Sequence, residues 1–394
     1  MKLGMRRAVR CAAEAMLACL LCGSLAHGQA PQAQRAQKPL MAEDVFKNVQ
    51  VLRGIPVKEF MDAMGFFSAA LGLNCTDCHV TQSASDWDKY AVDTPLKETA
   101  RKMVVMMNTI NSGDFGGTRR VTCYTCHRGF EVPDVVPSLT LEYGPPPPED
   151  PDEVQLLPNA PQTPSADQIL DKYIQALGGP QTLAKLTSFS AKGTYAGFDT
   201  DFAKVPVEIF AEAPDRRATI AHLVYGDSTA TYDGHEAWVA MPTELAPVPV
   251  LPLLGGALEG AKLDAQLSFP GQIKQELSNW RVGFPSTTIN GRPAQVVEGT
   301  SSGGSHIKLF FDAQSGLLLR QTRFTNTPVG LTPTHVDYSD YRTVAGVQMP
   351  FHWEITWVDG QSTIQLSEIQ PNVPVDAAKF AKPAPPVQKP VVAQ

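Results

Sequence analysis

The chain uses little cysteine, seven residues in 394, and basic residues are outnumbered, 33 against 40 acidic, for a formal net charge of −7. That balance excludes the positive surface on which nucleic-acid binders rely. Beyond the N-terminus no apolar run reaches the roughly 20 residues a membrane-crossing helix needs. There is no glycine-rich nucleotide loop, no convincing nucleophile triad and no close carboxylate pair, so the commonest hydrolase and nucleotide-enzyme patterns are missing. Five of the eight histidines, His222, His235, His306, His335 and His352, are scattered without metal-ligand spacing and read as surface or turn residues. The length still allows two compact domains with substantial cores.

What is present begins with an export signal. Lys2, Arg6, Arg7 and Arg10 form a basic start, an apolar stretch follows, and small residues close it. Cleavage is expected after Ala26, in Ser24-Leu25-Ala26, or as late as Ala30. Lipoprotein anchoring at Cys19 or Cys22 is the alternative. Both readings place the protein in the periplasm or on the outer face of the cell envelope. Removing the signal also removes Cys11, Cys19 and Cys22, which leaves Cys75, Cys78, Cys123 and Cys126. Four cysteines in an exported chain would ordinarily suggest two disulfides.

Their spacing points elsewhere. Each pair sits in Cys-x-x-Cys-His, first in GLNCTDCHVT and again in VTCYTCHRGF. From this composition a single chance match is expected roughly 0.0025 times per chain, and two about a thousandfold less often. Covalent haem attachment needs two thiols about one helical turn apart, with an imidazole next in line to bind the iron. Cys75, Cys78 and His79 would hold one haem c, and Cys123, Cys126 and His127 a second. A redox dithiol has no need of the trailing histidine twice, and a zinc site would need ligands from loops that otherwise read as separate units.

A sixth iron ligand is expected from the segment before each motif. Within residues 58–73, Phe60, Met64, Phe67 and Leu71 fall on one helical face, with Met61 as a competing sulfur. Thr94-Pro95 then reads as the cap and first turn of a helix to about Asn111, carrying Met103 and Met107 on one face and Met106 beside it. Methionine opposite histidine raises the reduction potential relative to two histidines.

Residues 45–135 resemble half of the tetrahaem cytochrome subunit of photosynthetic reaction centres. The resemblance rests on Met64 followed by LGLNCTDCH, on ARKM with TIN behind it, and on VTCYTCHRG. It implies that Met64 and Met103, rather than Met61, Met106 or Met107, are the axial ligands, and that the partners are redox proteins or a membrane complex. This chain departs from that pattern in having two motifs instead of four and no histidine between His79 and His127.

Residues 136–164 read as an acidic, proline-rich linker. From Glu131 to Pro164 there are ten prolines, and such a run is either a semi-rigid polyproline spacer or lies packed along a domain surface. Residues 165–385 then form a second domain, followed by a tail, 386–394. Ser165 caps a helix that ends at Gly178-Gly179. After it the period changes to two: Ile307, Leu309 and Phe311 alternate before a turn at 312–316, and Phe351, Trp353, Ile355 and Trp357 alternate before Asp359-Gly360. The expected class is therefore α+β multidomain: a small, mainly α dihaem domain followed by an antiparallel β-meander or half-barrel with a leading helix.

This half resembles the half-open barrel of periplasmic lipoprotein-carrier proteins in TYDGHEAWVA, LFFDAQSGLLLR and the helix ending in Leu-Gly-Gly. The resemblance implies an apolar ligand on the concave face, with residues 246–260 as a lid. Three functions remain in view: an exported dihaem electron carrier without enzymatic activity, a peroxidase-like enzyme with an open iron, and a lipid-binding module with an attached haem domain.

Overall fold

The computed structural model describes residues 39–146 and 150–387. The export signal, its cleavage sites, Cys11, Cys19, Cys22 and most of the tail lie outside the described residues.

The first part is helical. Helix α1, Val57–Leu71, starts after Pro56 and stops at Gly72, which takes φ 65°. The α1 residues form two adjoining apolar stripes whose centres lie about 100° apart on the helical wheel. Ala63, Phe66 and Ala70 are buried in the protein core, whereas the expected stripe of Phe60, Met64, Phe67 and Leu71 lines an open cleft. Helix α2, Cys75–Cys78, is one turn, begun by a reciprocal cap in which the Asn74 N–H donates to Asp77. Helix α3, Pro95–Asp114, opens as its sequence requires, with the Thr94 hydroxyl accepting from the Lys97 N–H at 3.2 Å. Helix α4, Cys123–His127, is again one turn and ends with Arg128 and Gly129 at positive φ.

The eight residues between α3 and α4 are held chiefly by one side chain. Asn111, 6% exposed, accepts from the Arg120 and Val121 N–H groups, both at 2.9 Å, and donates to the Val121 carbonyl at 2.7 Å. A buried amide that satisfies three backbone groups sets the approach of the chain to Cys123.

The second part is one antiparallel sheet built from two meanders. The first runs from Ser188–Gly197 through Val205–Glu212, Arg216–His222, Asp227–Tyr232 and Ala237–Ala240 to Val250–Leu253. The second runs from Ser278–Phe284 to Gly360–Pro371. They join where Gly360–Pro371 pairs with Ser188–Gly197. Helix α5, Ala166–Ala176, is capped by Ser165 and Gln168 reciprocally and sends Ile169, Leu170, Tyr173 and Ile174 into the main core. Helix α6, Gly255–Gln266, packs across strands of both meanders. The class expected from the residue pattern, helices first and an antiparallel meander with a leading helix after, is the class observed.

One detail differs from the expectations, and of the two readings open for the proline-rich run the packed one holds for part of it. Residues 246–260 are not a free lid, because Val250–Leu253 is hydrogen-bonded to Ala237–Ala240 and the rest enters α6. Within the proline-rich run, Gln155–Leu157 forms a strand on the edge strand Ser278–Phe284, so this portion is packed rather than extended in solvent. That packing covers the back of the sheet: Phe310, 0% exposed, lies with Ile289, Val296 and Leu319 against Val154.

The helical part and the sheet share a core. Val329, at the tip of a hairpin and fully buried, belongs to the cluster of Ala63, Phe66, Val104 and Met107. Beside it the Phe66 ring lies so close to Gly330 that a Cβ there would be 2.2 Å from Phe66 Cζ. The Arg119 guanidinium donates to Asn326 at 2.6 Å and the Trp87 indole to the Thr243 carbonyl at 3.1 Å.

Gly330→Val is expected to destabilise the protein by about 1–3 kcal/mol through overpacking against Phe66, read as a lower denaturant midpoint. Asn111→Ala is expected to cost about 2–4 kcal/mol, from three lost hydrogen bonds, and an unshifted unfolding midpoint would contradict the role given to this amide.

Candidate functional site

The first motif lies in a cleft of about 270 Å³ lined by α1, α2, α3 and the segments around residues 46–52 and 87–91. Cys75, Cys78, His79, Met61 and Met64 all line it, so the residues singled out around the first motif converge on one space. Phe46, Phe60, Phe67 and Leu71 give it apolar walls. Both Met61 and Met64 are half-buried. On the far side Tyr90 meets the His79 ring edge-on at 4.8 Å between centroids, and Trp87 stacks on Tyr90 at 5.3 Å.

The electrostatics favour an uncharged imidazole. Burial, and then the positive charge of Lys97, hold the His79 pKa below its ordinary value, and its buried Nδ1 has no hydrogen-bond partner. A neutral imidazole with ring nitrogens uncommitted to other side chains suits metal ligation. Lys97 and Arg101, one turn apart on α3, also face the cleft. Arg101 pairs with Asp93 at 2.8 Å and Lys97 lies 3.7 Å from the same carboxylate, so two cations share one anion. Lys97 further donates to the carbonyls of Tyr90 and Val92.

The second motif is arranged differently. His127 Nδ1 lies 3.0 Å from the Phe130 carbonyl, a contact that fixes the ring and leaves Nε2 free to bind a metal. Helix α4 docks on the end of α1, where the Gly129 N–H donates to the Ala70 carbonyl at 2.9 Å. The approach leaves no room for a side chain at Gly72, where a Cβ would fall 2.2 Å from the Gly129 oxygen. Of the three sulfurs on α3, Met107 is 3% exposed and belongs to the shared core, whereas Met103 and Met106 are open at 37% and 46%. The second motif carries apolar side chains that are also open, Tyr124 and Phe130.

The four cysteines are unbridged. Burial pushes the Cys123 thiol up to about 11, and burial together with Asp77 raises Cys78. Reactive redox thiols are held low by nearby positive charge, so this environment disfavours dithiol exchange chemistry. The residues fit covalent haem at the first cleft on three counts: two thiols on one turn, a half-buried imidazole held towards its neutral form, and thioethers in an apolar wall. Sequence reasoning missed Trp87, Tyr90, Lys97, Arg101 and Asn111. The first four become visible only when α3 and the turn at 87–91 close on α1. Asn111 carried a signal, a polar residue on the apolar face of α3.

Among the described residues no helix is long and apolar enough to cross a membrane. Residues 21–146 match the family model for the photosynthetic reaction centre cytochrome C subunit. The photosynthetic reaction center cytochrome c subunit of Rubrivivax gelatinosus is 36% identical over 96 residues, 23% of this chain and 25% of that protein. Its counterpart in Thermochromatium tepidum is 34% identical over 96 residues, 23% of this chain and 22% of that protein. The match thus spans about a quarter of the length of these curated relatives. Among solved structures, a LolA superfamily protein from Nitrosomonas europaea aligns with 56% of this chain and 99% of its own, at 14% identity and a TM-score of 0.37. The segment that carries both Cys-x-x-Cys-His motifs is similar in sequence to photosynthetic reaction centre cytochrome c subunits, over part of this chain and part of theirs.

Proposed function

We propose that the chain is an exported dihaem c-type cytochrome that carries electrons between redox partners at the periplasmic face of the envelope. The observation that carries the reading is the convergence of Cys75, Cys78, His79 and the α1 methionines on one cleft. In this reading Cys75 and Cys78 hold the first haem with His79 and Met64 on its iron, and Cys123 and Cys126 hold the second with His127 and Met103. The family resemblance favours Met64 over Met61, and the burial of Met107 in the shared core leaves Met103 and Met106 as the accessible sulfurs on α3.

Bound haem c supplies a one-electron couple, and the chain sets where and at what potential it operates. The apolar α1 face gives the first site an apolar wall, and burial with Lys97 favours the neutral form of His79. Lys97 and Arg101 against Asp93 leave net positive charge beside that site, which disfavours the more positive, oxidised centre. With methionine opposite histidine, both centres are expected to be fairly oxidising carriers. Helix α2 follows the end of α1 after residues 72–74 and α4 docks on that same end, which supports electron exchange between the two centres. Photosynthesis itself is not part of the proposal, because only about a quarter of each relative is matched.

A pyridine haemochrome assay with intact mass, on protein matured in an exporting host, is expected to give two covalent haems per chain. Zero or one would overturn the dihaem reading. Met64→Ala and Met103→Ala are each expected to change the spectrum of one haem, and to let that reduced haem bind carbon monoxide, while both stay attached. Unchanged spectra would reassign the ligands. Lys97→Met is expected to lower the potential of the first haem by tens of millivolts, on the order of a partly screened charge at this range, measured by redox titration.

A further inference from the structure

The histidines of the two Cys-x-x-Cys-His motifs are held by different means. His127 is fixed within its own loop, where Nδ1 lies 3.0 Å from the Phe130 carbonyl. His79 has no such bond, and its buried Nδ1 is without a partner. What lies against it is Tyr90, whose backbone neighbours the imidazole and whose ring meets it edge-on, at 4.8 Å between centroids and 66° between planes. An iron-binding imidazole ordinarily has its plane set by a hydrogen bond from the other ring nitrogen. At the first motif that task falls to an aromatic edge.

Tyr90 is in turn placed from two sides. It belongs to the turn Trp87–Ala91, where its carbonyl accepts from Lys97 Nζ at 2.6 Å and the Ala91 carbonyl accepts from Asn48 at 2.8 Å. Its ring stacks on Trp87, at 5.3 Å between centroids and 27° between planes. The Trp87 indole N–H then donates to the Thr243 carbonyl at 3.1 Å, 156 residues further along the chain. Thr243 sits in the turn between strands Ala237–Ala240 and Val250–Leu253, a turn closed by the Met241 N–H on the Pro249 carbonyl and by the Leu245 and Ala246 N–H groups on Pro242. Two ring contacts and one hydrogen bond therefore connect a hairpin of the sheet to the imidazole. A half-exposed indole N–H is satisfied equally well by water, so the bond to Thr243 contributes position more than stability.

We propose that Tyr90 is the positioning residue for His79, and that the bond from Trp87 to Thr243 makes the β half a determinant of the plane in which that imidazole meets the first haem. The proposal rests on the reading of His79 as an iron ligand. It gives the sheet a part in the electronics of the centre, because the orientation of an axial imidazole governs how unpaired spin is distributed around a ferric porphyrin.

Proton NMR of the ferric, haem-loaded, full-length protein tests this, since the order of the ring-methyl resonances of a haem follows the plane of its axial imidazole. Tyr90→Leu is expected to reorder the methyl resonances of the haem on Cys75 and Cys78, to leave those of the other haem in place, and to keep both haems attached by pyridine haemochrome. Tyr90→Phe preserves the ring edge and is expected to retain the native order. Trp87→Phe keeps the stack but loses the donor to Thr243, and is expected to shift the same resonances in the same direction by a smaller amount. If Tyr90→Leu matures without its first haem, Trp87→Leu, which removes stack and donor together, is expected to give the reordering. A native pattern in Tyr90→Leu, or in Trp87→Leu in its place, would overturn the positioning role, and a native pattern in Trp87→Phe would overturn the link to the β half. Unaltered protein that carries no haem on Cys75 and Cys78 would instead overturn the ligand reading beneath the proposal.

Discussion

Close packing of helix α1 against its neighbours at glycine positions is the constraint on which the rest of the structure depends. At its C-terminal end Gly72 lets the turn after Cys126 come within hydrogen-bonding distance of Ala70. Along its other side Phe66 sits over Gly330, and Gly65 faces the Asp359 carboxyl, where a Cβ would lie 2.6 Å from an oxygen. Three glycines thus let one helix touch the second motif and the sheet at once. A larger residue at Gly72 or Gly330 would push a whole element away, because the opposing atoms at Gly72 are backbone and those at Gly330 belong to a buried ring.

With α1 fixed in this way, its two apolar faces acquire different tasks. Ala63, Phe66 and Ala70 complete a conventional protein core, and Phe60, Met64, Phe67 and Leu71 face the cleft. The helix is therefore apolar around much of its circumference, a pattern that a chain avoids on a free surface. The first site is thereby held mostly on regular elements, α1 and α3, so it does not depend on loop order alone.

Much of this was legible in the residues. Cys-x-x-Cys-His, Thr94-Pro95, Ser165 with Gln168 and the alternation in FHWEITW are local signals, each with a local physical cause, and each appears where its pattern places it. What escaped reading was tertiary. HIKLFF looked like a strand with one wet face, yet Lys308 and Phe310 are buried too, because Val154 and the Asp152 carbonyl arrive on that side from the proline-rich run. Nothing within HIKLFF records that cover. Lys97 and Arg101 likewise acquire a role only when α3 closes the cleft. Nothing in the apolar run at 246–260 separates a lid from a packed segment, because its partners, Ala237–Ala240 and the α6 packing surface, are set by the sheet and not by the run itself.

Val329 carries a consequence for the order of events in the cell. It is made roughly 200 residues after Cys126, yet it fills the core beneath α1 and α3. A chain that emerges N-terminus first exposes all four thiols well before the residue that seals their scaffold exists. Any covalent modification of the thiols therefore has a time window set by the pace of synthesis. The hairpin tip that ends the window is contributed by the β half, which makes the sheet a late-acting clasp on the cytochrome-like part as well as a domain in its own right.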